Sequence, residues 1–254
     1  MDRTVAWLSG GVSSFVATWL VRDQLTDIIF IDIDDQTRDT LRFAQEAADL
    51  LGKPLQILRS PFYRSKNDVI RARRYINGPH GAPCTGALKR EVRKMWENAS
   101  LQRGESPTYI WGFDAGEPHR IAHTVEHNDH ARHLFPLADR GITKAAAHAV
   151  CRDLGLSRAD MYDLGYPNAN CVGCVKGGMG YWNKIRVDFP DVFAEMAALE
   201  REIGATCLHD GDGKVWLDEL DPQRGRCDRI VVPACGIACG VLDNWEQEVM
   251  EGYG

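Results

Sequence analysis

A pair of glycines between an apolar run and a helical pattern constrains the fold of this chain most. Residues 4–8 are apolar and predict a buried strand, and Phe15, Val16 and Trp19 recur at helical spacing after the glycines. Glycines at such a junction let the backbone approach a phosphate group closely, and the free N–H groups of a helix N-terminus attract an anion. The alternative is an ordinary strand-to-helix turn with a serine cap. The predicted phosphate-binding loop consists of Ser9, Gly10, Gly11, Ser13 and Ser14, with Val12 between them.

Further strands and helices alternate after this loop. Residues 28–31, 54–58 and 109–113 predict three more strands, separated by helical patterns. This alternation favours a parallel sheet with helices on both faces, so we predict an α/β fold. We place its nucleotide-binding core at residues 1–135, and a helical, cysteine-containing region packed on that core at residues 136–254. The second region is predicted to contain helices at 143–154 and 189–203, followed by short strands and turns.

Composition narrows the classes of protein to consider. The net charge of -6 argues against a general polyanion binder but leaves a local basic face open. The sequence contains no apolar run of about 18 residues and no signal-peptide pattern, so we expect a cytoplasmic protein without a membrane span. In a reducing compartment, cysteines at short spacing more often bind metal or take part in redox chemistry than form disulfides. The 8 cysteines of this chain therefore need a chemical explanation.

The glycine loop differs from two common nucleotide-binding patterns. It lacks the Gly-Lys-Ser/Thr ending of a Walker loop, and it does not fit G-x-G-x-x-G. It resembles the SGGxDS loop of the ATP-pyrophosphatase (PP-loop) superfamily, which includes tRNA thiolation enzymes, GMP synthetase and phosphoadenosine phosphosulfate (PAPS) reductases. Ser13 stands where that superfamily usually has aspartate, which removes a carboxylate from the phosphate site. The resemblance implies that ATP or a related adenine nucleotide binds here with Mg²⁺, and that Asp32 lies beside the adenosine.

Two cysteine pairs predict a metal centre. Cys171 and Cys174 form a C-x-x-C in a glycine-rich loop, and Cys235 and Cys239 are close enough in sequence to supply a second pair. Two thiolates at this spacing can bind Zn²⁺ or an iron–sulfur cluster such as [4Fe–4S]. Chance pairing of structural thiols and a redox disulfide within 171–174 are the alternatives.

Cys84 lies just before a helical pattern and close to Lys89 and Arg93. A helix N-terminus and nearby cations would stabilise its thiolate, so we predict a nucleophile, a persulfide carrier or a cluster ligand. An incidental cysteine in a capping region is the alternative. A metal-ligand set of Cys84, Cys171, Cys174 and one C-terminal cysteine also remains open.

Polar residues crowd the end of the fourth predicted strand, where Asp114, Glu117, His119 and Arg120 follow one another closely. In a parallel sheet, ligands bind beyond the carboxyl ends of the strands, near the point where the strand order switches. We therefore expect Asp114 to face the nucleotide, and Arg120 to bind a phosphate or sulfate and take part in catalysis. A salt-bridged loop is the alternative.

Several segments in a fixed order carry a wider resemblance. They are SGGVSS (9–14), IDIDD (31–35), CTGALK (84–89), GFDAGEPHRI (112–121) and NCVGCVKGGMGYWNKI (170–185). Together they resemble the PAPS-reductase-like branch of the PP-loop superfamily, in its small bacterial and phage-encoded form. The resemblance covers nearly the whole chain and implies a PP-loop α/β core with an appended cysteine region. Relatives in this branch include DNA-phosphorothioation sulfurtransferases with iron–sulfur clusters, and tRNA thiolases with a C-x-x-C.

The resemblance leads to three functional hypotheses. In the first, ATP adenylates an acceptor (a nucleobase, a nucleic acid or a small molecule), and sulfur carried on Cys84 or a cluster displaces AMP. The second is a PAPS-reductase-type oxidoreductase, in which Cys235 or Cys239 attacks a sulfonate and a thioredoxin-like protein resolves the product. Here Cys235 resembles part of the ECG(I/L)H motif of sulfonucleotide reductases, but Ala234 and Ala238 replace its Glu and His. The third is a nucleotide-binding accessory protein with structural zinc. Basic runs at 71–74 and 89–94 favour an anionic acceptor, and a sulfur-donor protein and a homodimer remain open.

Overall fold

A five-stranded parallel sheet forms the centre of the structure, a computed structural model that describes residues 2–78, 81–128, 131–211 and 213–226. Its strands are β1 (Asp2–Leu8), β2 (Asp27–Ile31), β3 (Leu55–Leu58), β4 (Ser106–Ile110) and β5 (Arg132–Leu134). They pair in the order β3-β2-β1-β4-β5, and every pair is parallel. The predicted α/β fold with a parallel sheet is confirmed.

Helices connect the strands and extend the fold beyond the sheet. They are α1 (Val12–Trp19), α2 (Arg38–Leu50), α3 (Lys66–Arg73), α4 (Pro83–Thr85), α5 (Glu91–Gln102), α6 (Pro118–Glu126), α7 (Pro136–Asp139), α8 (Lys144–Asp153), α9 (Asp160–Asp163), α10 (Met179–Asp188) and α11 (Pro190–Ile203). A π-helical turn, Gly86–Arg90, joins α4 to α5. After α11, β6 (Leu208–Asp210) and β7 (Gly213–Val215) form an antiparallel hairpin. None of the helices in the described ranges has the length and apolar character that crossing a membrane requires.

Local sequence signals explain where several of these helices begin. Thr37, Ser65 and Thr143 each precede a helix, and each side-chain oxygen accepts a hydrogen bond from the amide three residues further on. Such a cap satisfies an amide that the helix itself leaves unpaired, and is worth about 1 kcal/mol. Helix α1 differs, because its N-terminus has no side-chain cap and no acidic residue in its first turn.

Two large hydrophobic cores hold these elements together. The first lies between the sheet and helices α1, α2, α7 and α8, and contains Phe15, Phe43, Leu137 and Val150. Residues on both sides of the predicted boundary at 135 therefore contribute to one core. The second core joins α10, α11 and the β6–β7 hairpin, and Trp182 is fully buried in it.

The fourth strand lies three residues earlier than predicted. Its pairing with β1 runs from Asp2 opposite Ser106 to Ala6 opposite Ile110, so the register with β1 determines where β4 begins. Trp111 and Phe113, which the sequence placed inside the strand, instead stack on each other with ring centres 5.5 Å apart. This shift places residues 111–117 in the loop beyond the carboxyl end of β4.

Candidate functional site

The strand order creates a crevice at the carboxyl ends of β1 and β4. The chain passes from β1 to β2 and β3 on one side, and then returns to β4 and β5 on the other side of β1. Connections that leave in opposite directions open a space between them, and ligands of open parallel sheets bind there. The loop 9–14 follows β1 and residues 111–117 follow β4, so both border this crevice.

Two glycines allow the loop 9–14 to pack closely against its surroundings. Gly10 has a φ of 77°, a left-handed conformation that side chains disfavour, and a Cβ there would run into the side chain of Thr40. A Cβ on Gly112 would stand 2.7 Å from the Ser14 amide nitrogen and 2.8 Å from the Ser13 carbonyl carbon. The loop is therefore enclosed between the start of α2 and the end of β4.

The serines of the loop have different contacts. The Ser14 hydroxyl donates to the Gly11 carbonyl oxygen at 2.8 Å and accepts from the Ser9 amide at 3.2 Å, so it shapes the turn. The Ser9 and Ser14 hydroxyl oxygens lie 3.1 Å apart. Among the described residues, the Ser13 hydroxyl has no hydrogen-bond partner. With an uncapped α1 behind it, the loop presents amide and hydroxyl donors to an anion.

Tyr162 from α9 lies against the loop, a contact that the sequence analysis did not identify. Its hydroxyl is 3.0 Å from the position of a Cβ on Gly11. Burial raises the pKa of Tyr162 to about 12, while the backbone N–H groups of Val12 and Ala169 act in the opposite direction. The Lys144 Nζ atom lies 5.8 Å from the centre of the tyrosine ring. Tyr162 reaches the loop, and Lys144 reaches Tyr162, because α8 and Tyr162 pack with α1 in the first core. No local motif signals that packing.

The predicted residues after β4 form a bonded loop. The Asp114 carboxylate accepts from the Gly116 amide at 2.9 Å, and Glu117 accepts from the Asp114 amide at 3.2 Å. Arg120 is paired with Glu117, and its guanidinium carbon lies 4.3 Å from the centre of the Phe113 ring. Asp114 therefore lies on the wall of the crevice, whereas Arg120 would have to exchange its partner in order to bind a phosphate.

Asp32 lies at the end of β2, on the same edge of the sheet. Its carboxylate forms an ion pair with Arg59, and its amide donates to the Leu58 carbonyl oxygen at 2.9 Å. These contacts join the ends of β2 and β3 beside the crevice.

Cys84, Cys171 and Cys174 share one region further along this edge. The side chains of Cys84 and Cys171 both pack on a small core that includes Ile33 and Leu88. Burial raises the pKa of the Cys84 thiol, and the neighbouring Cys174 thiol raises it further. This is the opposite of the stabilised thiolate that the sequence predicted. Cys235 and Cys239, predicted as metal ligands, lie outside the described residues.

Hydrogen bonds within the chain order the C-x-x-C loop. The Cys174 amide donates to the Tyr181 hydroxyl at 2.9 Å, and that hydroxyl donates to the Cys171 carbonyl oxygen at 3.3 Å. The Val172 amide donates to the Asp35 carbonyl oxygen at 2.8 Å, which attaches the loop to the turn after β2. The loop therefore has protein contacts that hold its shape.

A buried ion pair lies beside these thiols. Lys66 Nζ is 2.8 Å from the Asp35 carboxylate, and each side chain is only 7% exposed. Burial raises the pKa of Cys171, whereas Lys66 and Lys89 lower it. Lys66 thus places a positive charge close to the thiol region.

The donor atoms fit a metal only in part. Three thiols in one region are suitable ligands for Zn²⁺ or an iron–sulfur cluster. Within residues 2–226, apart from the short gaps in that range, no three His, Cys, Asp or Glu side chains converge into a metal-binding group. We therefore derive no reaction step through a metal.

One segment, 167–174, connects the phosphate crevice with the thiol region. At one end, the Lys144 amine donates to the Pro167 carbonyl oxygen and the Asn168 side chain. At the other end, Cys171 lies among the thiols. Consecutive Cα atoms are 3.8 Å apart, so Asn168 and Cys171 are separated by at most about 11 Å. The two candidate sites therefore lie along one edge of the sheet.

Cys151 and two arginines of the basic runs make contacts within the protein that explain their positions. Cys151 is 1% exposed in the first core, as expected for a small buried hydrophobe. In the basic runs, Arg71 pairs with Glu202 at 3.3 Å, and Arg93 pairs with Glu97 at 3.3 Å. These two arginines are therefore engaged within the protein.

Comparisons with known proteins find similarity in structure but no match among family models or curated sequences. Among solved structures, a PAPS reductase from Candida auris, in a phosphate complex, matches with a TM-score of 0.44 and 15% sequence identity. The match covers 65% of this chain and 79% of that chain.

Proposed function

We propose that this chain is an ATP-dependent enzyme that adenylates an acceptor and transfers sulfur to it. One observation carries the proposal: the loop 9–14 and the region of Cys84, Cys171 and Cys174 lie on the same edge of the sheet, joined by the segment 167–174. Such an arrangement places a nucleotide and a sulfur carrier within reach of one bound acceptor.

The phosphate half of the proposal rests on the loop and its surroundings. Uncapped amides at the start of α1 and the loop hydroxyls would bind the phosphate oxygens, with Mg²⁺ accompanying ATP. The adenosine would lie towards Asp32. On the β4 wall, Asp114 and Glu117 are the carboxylates that would meet the Mg²⁺.

The first chemical step activates the acceptor. A carbonyl-type oxygen of the acceptor attacks the α-phosphorus of ATP, the bond from that phosphorus to pyrophosphate breaks, and pyrophosphate leaves. The oxygen now carries AMP, which is a good leaving group. Donors fixed in the loop act on the charge that develops on the phosphate oxygens.

The second step uses the thiols. A persulfide on Cys84, supplied by a sulfur donor, attacks the activated carbon through its terminal sulfur, and the C–O bond to AMP breaks. Cys171 or Cys174 then attacks the Cys84 sulfur, which releases the thiolated acceptor and leaves a disulfide. A dithiol reductant of the thioredoxin type returns that disulfide to two thiols. These reaction steps require two or more cysteines close together, and the region contains three: Cys84, Cys171 and Cys174.

The experiment measures sulfur transfer to a nucleic-acid acceptor. The protein is purified without oxygen and incubated with Mg²⁺-ATP, a ³⁵S-persulfide donor, a dithiol and bulk tRNA. Labelled RNA should appear together with AMP and pyrophosphate, and Cys84→Ala should abolish the label. Cys151→Ala removes a thiol from the first core and serves as the matched control. Unchanged labelling in Cys84→Ala would exclude Cys84 as the carrier.

Metal analysis and a visible spectrum of the same anaerobic sample determine what the thiols hold. A [4Fe–4S] cluster absorbs near 400 nm, whereas zinc is colourless. A sample with neither metal supports the thiol mechanism above, because that mechanism needs only free cysteines. A cluster lost in Cys84→Ala would instead make Cys84 a ligand and contradict its role as a carrier.

A further inference from the structure

A lysine that the proposed reaction does not use lies beside the phosphate crevice. Lys144 is the first residue of α8, and its amine is held by the Pro167 carbonyl oxygen and the Asn168 side-chain oxygen. An ammonium group has three N–H donors. Among the described residues, Lys144 makes no further hydrogen bond and no ion pair with a carboxylate within 4.0 Å. One donor and the charge are therefore available to a ligand.

Two observations place this amine near the loop 9–14. Lys144 lies over the ring of Tyr162, whose hydroxyl is in contact range of Gly11. Lys144 also lies in the field of Glu117 and Asp114, on the wall that follows β4. That same wall touches the loop directly, since Gly112 packs against the Ser14 backbone. The ammonium therefore lies near Tyr162, which contacts the loop, and near the carboxylates that follow β4.

We propose that Lys144 and the loop 9–14 form an anion site, in which the ammonium binds a phosphate oxygen opposite the amides of α1. The ligand class is a polyphosphate, such as the phosphate chain of ATP or pyrophosphate itself. The inference deepens the proposed function, because it names the residue that would bind the nucleotide phosphates.

The chemistry of the loop gives this lysine its importance. The loop contains no basic residue, so its donors are neutral amides and hydroxyls. A charged donor forms a stronger hydrogen bond to a phosphate than a neutral donor does. Burial lowers the pKa of Lys144, the expected direction for an ammonium that has lost water, and an anion beside it would offset that effect.

The test compares ligands with and without phosphate. ATP, pyrophosphate and adenosine are titrated by calorimetry into the full chain and into Lys144→Met and Lys144→Gln. Removing one charged donor should weaken ATP and pyrophosphate binding by about 10- to 100-fold. Adenosine, which lacks phosphate, should bind all forms equally. Lys144→Gln retains an amide donor for Pro167, so a similar loss in this variant shows that the charge is needed.

Lys184→Met is the matched control, because Lys184 also lies over a tyrosine ring, at 4.8 Å from the centre of Tyr166, but on α10. It should bind all three ligands as the unaltered chain does.

Equal affinities for ATP and pyrophosphate in the unaltered chain and both Lys144 variants would overturn the inference. Pyrophosphate binding that depends on Lys144, without any ATP binding, would support the anion site and contradict the proposed function. Failure of the unaltered chain to bind any phosphate ligand would overturn both.

Discussion

Gly112→Ala adds a single methyl group where β4 meets the phosphate loop. That methyl carbon would stand 2.7 Å from the Ser14 amide nitrogen and 2.8 Å from the Ser13 carbonyl carbon. Both contacts are backbone atoms, which cannot rotate away as a flexible side chain would. Reaching an ordinary contact of 3.4 Å from 2.7 Å requires a shift of about 0.7 Å between the loop and the strand end. Such overpacking costs about 1–3 kcal/mol of unfolding free energy.

The same shift should affect ligand binding beyond its effect on stability. Misplacement by about 1 Å at a reacting centre can cost about 100-fold in rate, and donors aimed at a phosphate are similarly sensitive to position. Urea denaturation measures the loss of stability, and calorimetry with ATP measures the loss of affinity. Gly211→Ala is the control, because a Cβ there meets nothing within 4 Å. If Gly112→Ala matched Gly211→Ala in both assays, the close approach of β4 to the loop would be refuted.

Two further predictions concern buried charged and titratable groups. Lys66→Met leaves the Asp35 carboxylate buried without its cation and should lower the unfolding free energy by about 3–5 kcal/mol, whereas Lys66→Met combined with Asp35→Asn should lose less. Urea denaturation measures both, and an equal loss in the double variant would argue against the pair. Burial lowers the pKa of His148 to about 4, so the unfolded chain binds more protons than the folded chain between pH 4 and 6.5. The unfolding free energy should therefore fall by up to about 3 kcal/mol as the pH drops from 6.5 to 4. Urea denaturation of His148→Leu across this pH range should show that this part of the loss is gone. The same pH dependence in His148→Leu would contradict the role of His148.

The strands of the sheet could be predicted where a short stretch of sequence carries the signal by itself. Strands β1 and β2 are apolar runs, and the glycine pair marks the turn from β1 into α1. Strand β5, Arg132–Leu134, was not predicted, because a three-residue edge strand with one aliphatic side chain has no detectable periodicity. Helix α10 was missed for a related reason. Its buried residues, including Trp182 and Ile185, face the second core, which forms only when α11 and the hairpin pack beside it.

In the candidate site too, features with a local sequence signal could be predicted, and features that depend on tertiary packing could not. The position of the loop 9–14, Asp32 and Asp114 at one edge of the sheet could be predicted, because each directly follows an apolar run and a parallel sheet brings its carboxyl ends together. Their role in binding a nucleotide stays a prediction. The direction of the pKa shift at Cys84 could not be predicted. Basic residues nearby in sequence favour a thiolate, but burial, which only tertiary packing determines, acts more strongly in the opposite direction.

A serine at position 13 is consistent with a phosphate-binding role for Lys144. Glu117 and Asp114 already act on the charge of Lys144, and an aspartate at position 13 would add one more carboxylate to the same crevice. With Ser13 in its place, the loop adds no negative charge that would compete with an anionic ligand for Lys144. Because Lys144 also holds Pro167 and Asn168, its position further determines where the segment leading to Cys171 begins. In the proposed enzyme, one side chain would therefore bind the phosphates and position the sulfur-carrying half of the site.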